Sequence, residues 1–342
     1  MAFLTLAGLL IIGFFVAFAI GSNDETMSPA VGAHVFSLGT AVSLGAIVNI
    51  IGAVFMGSAV SEKVGSDLIS GRTLTMQMVC AILISMAIWL ILASVSHGVP
   101  ISTTQCVVGS VIGVCIIAPF LGLQGWGLHS VNVLVLFQVF LGWIVSPLIG
   151  FVIAAAFFFL IRKAQHRASG LYARERQEQI AAYGLAVFLI ITSLSRGGND
   201  VANAIAPLVA LPEFSVVYHI GALAIPGVAI PLLIGGIGMG LGLIIVGRKV
   251  IQTVSTEIVS LSPSSALSAS VAVSIVMFIG TLLGLPLSGT HVLIAALIAV
   301  GWVEQTGIQK KQIRDIIISW IITVPISAGF AMGCFYVINL LF

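Results

Sequence analysis

The chain has very little charge. Asp, Glu, Lys and Arg make up 7% of its 342 residues, and the net charge is only +2. This scarcity excludes a soluble domain and a nucleic-acid-binding surface, because both need many more charged side chains. Apolar residues make up 59% of the chain, and the mean hydropathy is +1.22. The composition predicts an all-α integral membrane protein that is surrounded by lipid and crosses the bilayer many times.

Cysteine is also scarce, and the four thiols lie in apolar stretches without CxxC or Cys/His ligand spacing. Neither a zinc site nor a disulfide framework is expected. The sequence has no Walker lysine, GxSxG or HExxH pattern. Ser288, His291 and Asp200 supply the residue types of a hydrolase triad, but a hydrolase would not require matched copies in two halves. We therefore expect no enzyme activity and no resident cofactor.

Two polar motifs are present twice within the apolar stretches. Gly21-Ser22-Asn23-Asp24 recurs 176 positions later as Gly197-Gly198-Asn199-Asp200, and the turn at 99–105 recurs 186 positions later at 285–291. Apolar runs long enough to cross a bilayer follow the same plan, about five to each half. The repetition predicts about 10–12 transmembrane segments with broken helices or re-entrant turns at the midplane.

The halves are residues 1–161 and 183–342, and residues 162–182 between them contain the only dense charge run. An odd number of crossings per half makes the two repeats inverted. The positive-inside rule places the charged linker in the cytoplasm, together with Arg248 and Lys249. Both termini are then predicted outside, in a multi-pass protein of the cell membrane.

The Asn-Asp motifs combine glycine, two capping residues and a later proline, which predicts a helix break at each copy. Free carbonyls and a carboxylate at such a break can bind a hard cation. The alternative is that Asp24 and Asp200 only cap helices at the water interface. The candidate ligands of a coupling sodium ion are Asp24, Thr26, Asp200 and Asn203.

The second motif starts with Pro100 or Pro286 and continues with hydroxyl side chains that can donate to an oxyanion. The alternative is an N-cap or a Ser/Thr turn that satisfies only its own backbone. The candidate phosphate-binding residues from both motifs are Asn23, Asp24, Ser102, Thr103, Thr104, Gln105, Asn199, Asp200, Ser288, Gly289, Thr290 and His291.

Several further polar residues are candidates for the edge of the same pocket. Arg196 is expected to bind the anion, to pair with Asp200, or to lie at the outer interface. Ser264 and Ser265 form either a pocket edge or a helix cap at a cytoplasmic loop. His291 is matched by Gln105 in the first half, so no proton-coupling role is assigned to it. The possible pocket residues are Glu25, Arg196, Glu257, Ser264 and Ser265.

At these motifs the chain resembles the inorganic phosphate transporter (PiT) family, whose halves each carry a G-x-N-D-x-A-N signature and a later P-x-S-T-T-H turn. Residues 197–204 match the signature closely, and Ser262-Pro263-Ser264-Ser265 precedes the second turn in the same order. The resemblance covers essentially the whole chain. It implies cation-coupled uptake of inorganic phosphate, with sodium or protons, by a homodimer with inverted repeats. The doubled motifs themselves favour alternating access, in which the two halves move about the site.

Three residues depart from the family pattern: Met27 replaces the second Asn of the first signature, Gln105 replaces a His, and Gly289 replaces a Thr. The first-half cation site therefore lacks one expected oxygen, for which Glu25 or Thr26 are substitutes. Phosphate is preferred over sulfate because partly protonated phosphate can donate a hydrogen bond to an Asp. A permease for sulfate or another tetrahedral oxyanion is the alternative function, and a passive anion channel is a more distant one.

Overall fold

A computed structural model describes residues 2–61, 68–96, 100–167, 170–209, 214, 216–220, 223–305 and 309–341. This part of the chain is helical apart from one short antiparallel hairpin and two 3-10 turns, at Ala118–Leu121 and Leu128–Ser130. The elements are α1 (Ala2–Ser22), α2 (Ser28–Gly32), α3 (Leu38–Met56), α4 (Met76–Ser96), α5 (Thr103–Ile117), α6 (Val133–Arg167), α7 (Leu171–Val209), β1 (Val217–Ile220), β2 (Leu223–Pro226), α8 (Ala229–Ile245), α9 (Arg248–Glu257), α10 (Pro263–Leu282), α11 (Gly289–Glu304) and α12 (Lys310–Leu341).

The apolar helices confirm the predicted all-α membrane fold. Within the described residues, seven helices are long and apolar enough to cross a bilayer, namely α3, α4, α5 with its 3-10 extension, α6, α7, α10 and α12. A bent pair, α8 and α9, meets at an angle of 62° and adds an eighth candidate. Two shorter apolar helices lie in α1 and α11. These ten elements divide into five from each half of the chain.

Helices of the two halves exchange packing partners. Helix α1 packs against α8 of the second half, and α7 packs in turn against α3 of the first half. In the same way α5 packs against α12, while α11 packs against α6. Much of the core of the molecule is therefore built between the halves, although α7 and α10 also pack closely within the second half.

Glycine permits the closest of these crossings. A Cβ atom added at Gly21 would overlap the carbonyl of Met239, and one added at Gly197 would overlap the carbonyl of Asn49. Such contact between two helix backbones is possible only where a side chain is absent, as in membrane helix pairs with small residues at their interface. Gly242 against Phe18 and Gly52 against Leu194 form a second pair of the same kind.

The predicted helix break is present at the first Asn-Asp motif. Helix α1 ends at Ser22, and α2 begins only at Ser28. The Asp24 carboxylate accepts a hydrogen bond from the backbone N–H of Thr26 at 2.9 Å. A short side chain that binds the backbone two residues on competes with the helix, which explains why the helix stops here.

The predicted break at the second motif is wrong, because α7 runs without interruption from Leu171 to Val209. Gly197 and Gly198 are used for close packing on α3 instead of for a turn. Asp200 pairs with Arg196 one turn earlier on the same helix, an arrangement that stabilises helix. Burial of the glycine face and this ion pair together outweigh the low helix propensity of glycine.

Two other segments differ from what their composition suggests. The apolar run over 218–246, one of the five expected crossings of the second half, begins with the β1–β2 hairpin, and its helix starts only at Ala229. Pro226 and Gly227 separate the two, as turn-forming residues do. The charged segment 162–182 lies mostly on helix, since α6 ends at Arg167 and α7 begins at Leu171. At 39 residues, α7 is about 58 Å long and exceeds the bilayer core of about 30 Å.

Candidate functional site

The asparagines of the two motifs hold the two proline turns. Asn23 accepts a hydrogen bond from the backbone N–H of Ile101 at 2.7 Å and donates to the Ser94 hydroxyl at 3.0 Å. Asn199 donates to the carbonyl oxygen of Leu285 at 2.9 Å. Each asparagine therefore binds the backbone at the turn of its own half, so that the two motifs of each half meet.

The first hydroxyl of each turn caps the helix that follows. Ser102 Oγ accepts from the backbone N–H of Gln105 at 3.3 Å, and Ser288 Oγ accepts from that of His291 at 3.4 Å. These contacts are the N-caps that the sequence offered as an alternative to an anion cradle. A capping hydroxyl accepts through its oxygen, so its own proton is still available to a ligand.

The two turns also cross each other. Thr104 of the first half donates to the carbonyl oxygen of Leu287 at 3.0 Å. Thr290 of the second half donates to the carbonyl oxygen of Ile101 at 3.5 Å. Thr104 and Thr290 are 186 positions apart, as are Ile101 and Leu287, so the two contacts are the same contact made in both directions.

A buried ionic cluster lies beside these turns and joins the two halves. Arg196 Nη1 lies 2.7 Å from Glu25 Oε1, and its Nε lies 2.9 Å from Asp200 Oδ2. Its Nη2 lies 3.9 Å from Asp24 Oδ1. No residue of the cluster is more than 3% exposed. Three carboxylates face one guanidinium, which leaves a surplus of two negative charges when all are ionised. A buried surplus is costly and requires cations or protons to neutralise it.

Asp24 is surrounded by oxygen-rich neighbours of the first half. Its Oδ1 accepts from both the backbone N–H and the hydroxyl of Thr26. Its Oδ2 accepts from the Asn49 amide at 2.8 Å. The Asn49 oxygen is buried without a hydrogen-bond partner. An oxygen in that position is a potential ligand of a hard cation.

Asp200 has a different environment. Its Oδ1 accepts from the Thr103 hydroxyl at 3.1 Å, while Oδ2 is bound by Arg196. Asn203 donates to the Asn199 oxygen at 3.3 Å and to Thr104 at 3.5 Å, and its own Oδ1 is buried without a partner. Among the described residues, no three His, Cys, Asp or Glu side chains are grouped to hold a metal. A cation here would depend on amide, hydroxyl and carbonyl oxygens as well as on carboxylates.

Sequence reasoning missed Asn49 and Ser94. Asn49 is fully buried in the middle of α3 and contacts Asp24, while Ser94 is fully buried on α4 and contacts Asn23. The available signal was a single amide inside an otherwise apolar span. A polar residue in that position is itself an indication of function.

Two of the candidate pocket residues lie elsewhere. Ser264 donates through its backbone N–H and its hydroxyl to Glu178, at 2.9 and 2.7 Å, near the start of α7. Ser265 forms a capping box with Ser262 at the start of α10. This agrees with the alternative interpretation of a helix cap. The side chain of Glu257 lies outside the described part of the chain.

The last residues of the turns are buried beside the crossing. His291 is 4% exposed, and its ring centroid lies 4.0 Å from that of Trp320. Its Nε2 is buried without a hydrogen-bond partner, and so is the Oε1 atom of Gln105. Thr103 is the most exposed candidate phosphate residue, at 8%, so every one of these residues is buried.

A polytopic membrane protein with a buried, charged and hydroxyl-lined centre has the features of a membrane transporter. The sequence matches the Phosphate transporter family over residues 20–331, and the chain belongs to that family. The matched region includes every candidate site residue.

Individual relatives extend the match over the full length. A protein of Thermococcus kodakarensis is 30% identical over 93% of this chain and 94% of its own, and one of Pyrococcus horikoshii is 30% identical over 97% of each. Both are provisionally named phosphate permeases. A solved structure titled "The sodium-dependent phosphate transporter" covers 99% of this chain and 100% of its own, with 25% identity and a TM-score of 0.83.

Proposed function

We propose that the protein is a symporter that takes up inorganic phosphate together with sodium ions or protons. The observation that carries the proposal is the buried cluster of three carboxyl groups and one guanidinium directly beside two crossed Ser/Thr turns, which holds a surplus of two negative charges when all are ionised. Without bound cations, this surplus of negative charge repels an anion. Cations that neutralise it therefore favour anion binding, and by reciprocity the anion favours the cations.

The proposed cation sites are centred on the two aspartates. In the first half Asp24, Thr26 and Asn49 supply the oxygens, and in the second half Asp200 and Asn203 do so. The unpartnered amide oxygens of Asn49 and Asn203 support this assignment, because buried acceptors without a donor are rare. Sodium is the preferred coupling ion, since the matched solved structure is titled sodium-dependent.

The proposed anion site is the space between the two turns. Ser102 and Ser288 retain a hydroxyl proton for the ligand, and each of them is the N-cap of the helix that follows its turn, α5 or α11. Gln105, Gly289 and His291 complete it. Phosphate that carries a proton can also donate to a carboxylate, whereas sulfate near neutral pH can only accept. Sulfate remains the second candidate because both anions are tetrahedral.

Alternating access is proposed to move residues 1–161 against residues 183–342 as two inverted repeats. The exchanged helix partners and the reciprocal threonine contacts support a two-fold relation between them. The buried site corresponds to an occluded state in such a cycle. We further propose a cell-membrane protein with a cytoplasmic segment at 162–182, outer termini and a homodimeric assembly.

The test is uptake into proteoliposomes of labelled phosphate and labelled sulfate, each with a sodium gradient, a proton gradient or neither. We expect phosphate to accumulate above its external concentration only when a cation gradient is present. Preferred accumulation of sulfate would change the substrate. Flux that equilibrates without any response to either gradient would indicate a channel and contradict the proposal.

A further inference from the structure

The guanidinium of Arg196 lies against Gly289, a residue of the proposed anion site. A Cβ atom at Gly289, the first residue of α11, would lie 2.5 Å from Arg196 Nε and 2.6 Å from its Cζ. The threonine implied there by the family resemblance could not coexist with Arg196 in this position. This chain therefore has a positively charged fork where a relative would place a hydroxyl.

The guanidinium of Arg196 is bound by Glu25 of the first half. Glu25 is 0% exposed, one of its oxygens binds Arg196 Nη1 at 2.7 Å, and the other is buried without a partner. A carboxylate oxygen accepts from a guanidinium N–H as an oxygen of a tetrahedral oxyanion does. Glu25 thus occupies the same kind of contact that a phosphate would make.

We infer that Arg196 is the charged ligand of the transported tetrahedral oxyanion, that Gly289 makes room for it, and that Glu25 holds it until the anion arrives. This inference rests on the proposed function and deepens it. Arg196 Nη2 is only 3.9 Å from Asp24 and is the least engaged nitrogen of the fork. The anion first contacts this nitrogen and then displaces Glu25 from Nη1.

Cation binding and anion binding are linked through this exchange. Cations at the aspartate sites reduce the negative surplus and weaken the hold of the carboxylates on Arg196. The guanidinium then turns to the anion, and its fork suits the two oxygens of a phosphate edge better than an ammonium does. The order is therefore cations first and anion second.

The decisive experiment compares variants with opposite expected signs. Equilibrium binding of labelled inorganic phosphate is measured on the purified full chain in nanodiscs, with and without saturating sodium. Arg196→Gln is expected to weaken binding about 10- to 100-fold, the range for lost charge-assisted hydrogen bonds. Glu25→Gln is expected to strengthen binding and to reduce its dependence on sodium, because it removes the competitor for Arg196. A purely structural ion pair would make both variants worse, which would overturn the inference.

Two further variants keep the test informative if Arg196→Gln does not fold. Arg196→Lys retains the charge but not the fork, and we expect a loss of about 10-fold. Gly289→Thr displaces the intact arginine and should weaken binding as Arg196→Gln does, with no added loss in the double variant. Gly329→Thr is the matched control, because an added Cβ atom there contacts nothing within 4 Å. Unchanged phosphate binding in both Arg196→Lys and Gly289→Thr would overturn the inference.

Parallel binding of labelled sulfate separates this inference from the proposed function. If the wild-type protein binds sulfate and not phosphate, the proposed substrate is wrong, and the same opposite-sign test applies with sulfate. If the wild-type protein binds phosphate and the variants bind it with the same affinity, the proposed function is retained and the proposed role of Arg196 is wrong. If it binds neither anion under any cation condition, both the proposed function and the inference about Arg196 are wrong.

Discussion

The two copies of the Asn-Asp motif contain the same polar groups in different places. The first copy has Met27 where the second has Asn203, 176 positions later. On the next helix of the same half the order is reversed: Asn49 lies in α3 of the first half, and Met239 lies at the matching place in α8 of the second half. The match follows from packing, because Gly197 lies against the Asn49 carbonyl as Gly21 lies against that of Met239.

In the proposed cation sites, this exchange supplies the same kind of amide oxygen from different positions in the two halves. Each copy has one methionine and one buried asparagine with an unpartnered oxygen, at Asn49 or at Asn203. In the second half the amide comes from the motif itself, whereas in the first half it comes from the following helix, α3, where Asn49 contacts Asp24. A search for the signature alone finds a missing ligand at Met27, although the site as a whole is not short of an amide.

The largest effect is expected from replacing the aspartates one at a time. Asp200→Asn should lower sodium-stimulated phosphate uptake roughly 100-fold, because it removes a cation ligand and breaks the buried pair with Arg196 at 2.9 Å. Asp24→Asn should cost about 10-fold, since Asp24 is 3.9 Å from Arg196 and loses mainly its cation contact. Initial uptake rates in proteoliposomes measure both. Normal sodium stimulation in Asp200→Asn would remove that residue from coupling.

A smaller effect is expected from moving the amide of the first copy. Asn49→Met takes the donor away from Asp24 Oδ2 and the free oxygen away from the site. We expect the sodium concentration for half-maximal uptake to rise about 10-fold, which matches the loss of one hydrogen bond to a charged group. Sodium titration of phosphate uptake is the measurement.

The double variant Met27→Asn, Asn49→Met then gives the first copy the arrangement of the second. We expect it to recover most of the lost sodium affinity, and Met27→Asn alone is its control. If the double variant is as poor as Asn49→Met, the two positions are not equivalent and the comparison between the copies is wrong.

The smallest effect concerns the threonines that cross between the turns. Thr104→Val removes a 3.0 Å hydrogen bond and leaves a buried carbonyl of Leu287 with one donor fewer, at a cost of about 1 kcal/mol. Thr290→Val removes a longer bond of 3.5 Å and should destabilise less. Melting temperatures of the purified variants in one detergent give the order. Equal or reversed shifts in melting temperature would contradict the expectation that the shorter hydrogen bond contributes more to stability.

Much of the fold followed from the sequence because lipid imposes simple rules. About five apolar spans to a half were expected from length and hydropathy alone. Among the described residues, seven helices and one bent pair are long and apolar enough to cross a bilayer, and two further apolar helices are shorter. The turns at Pro100 and Pro286 were expected to meet the Asn-Asp motifs, and Asn23 and Asn199 make that contact. The repetition of both motifs in the sequence was sufficient to predict that the turn and the Asn-Asp motif of each half lie in contact.

The sequence predictions were wrong or incomplete where the structure depends on packing between helices that are distant in sequence. The pair Gly197-Gly198 was interpreted as a helix break, although glycine also permits close approach of two helices, and only the neighbouring helix distinguishes the two uses. Asn49 was missed because its importance depends on Asp24, 25 positions away in sequence. The position of Arg196 beside Gly289 is likewise a contact between distant residues that local patterns do not express.

The glycine crossings have a consequence for how the copies diverged. Gly21 and Gly197 contact main-chain carbonyls, of Met239 and of Asn49, and not side chains. A contact made through the backbone sets no requirement on what the side chain at that position is. The position could therefore be methionine in one half, at Met239, and asparagine in the other, at Asn49. The two halves could differ in side-chain chemistry while they kept the same helix packing.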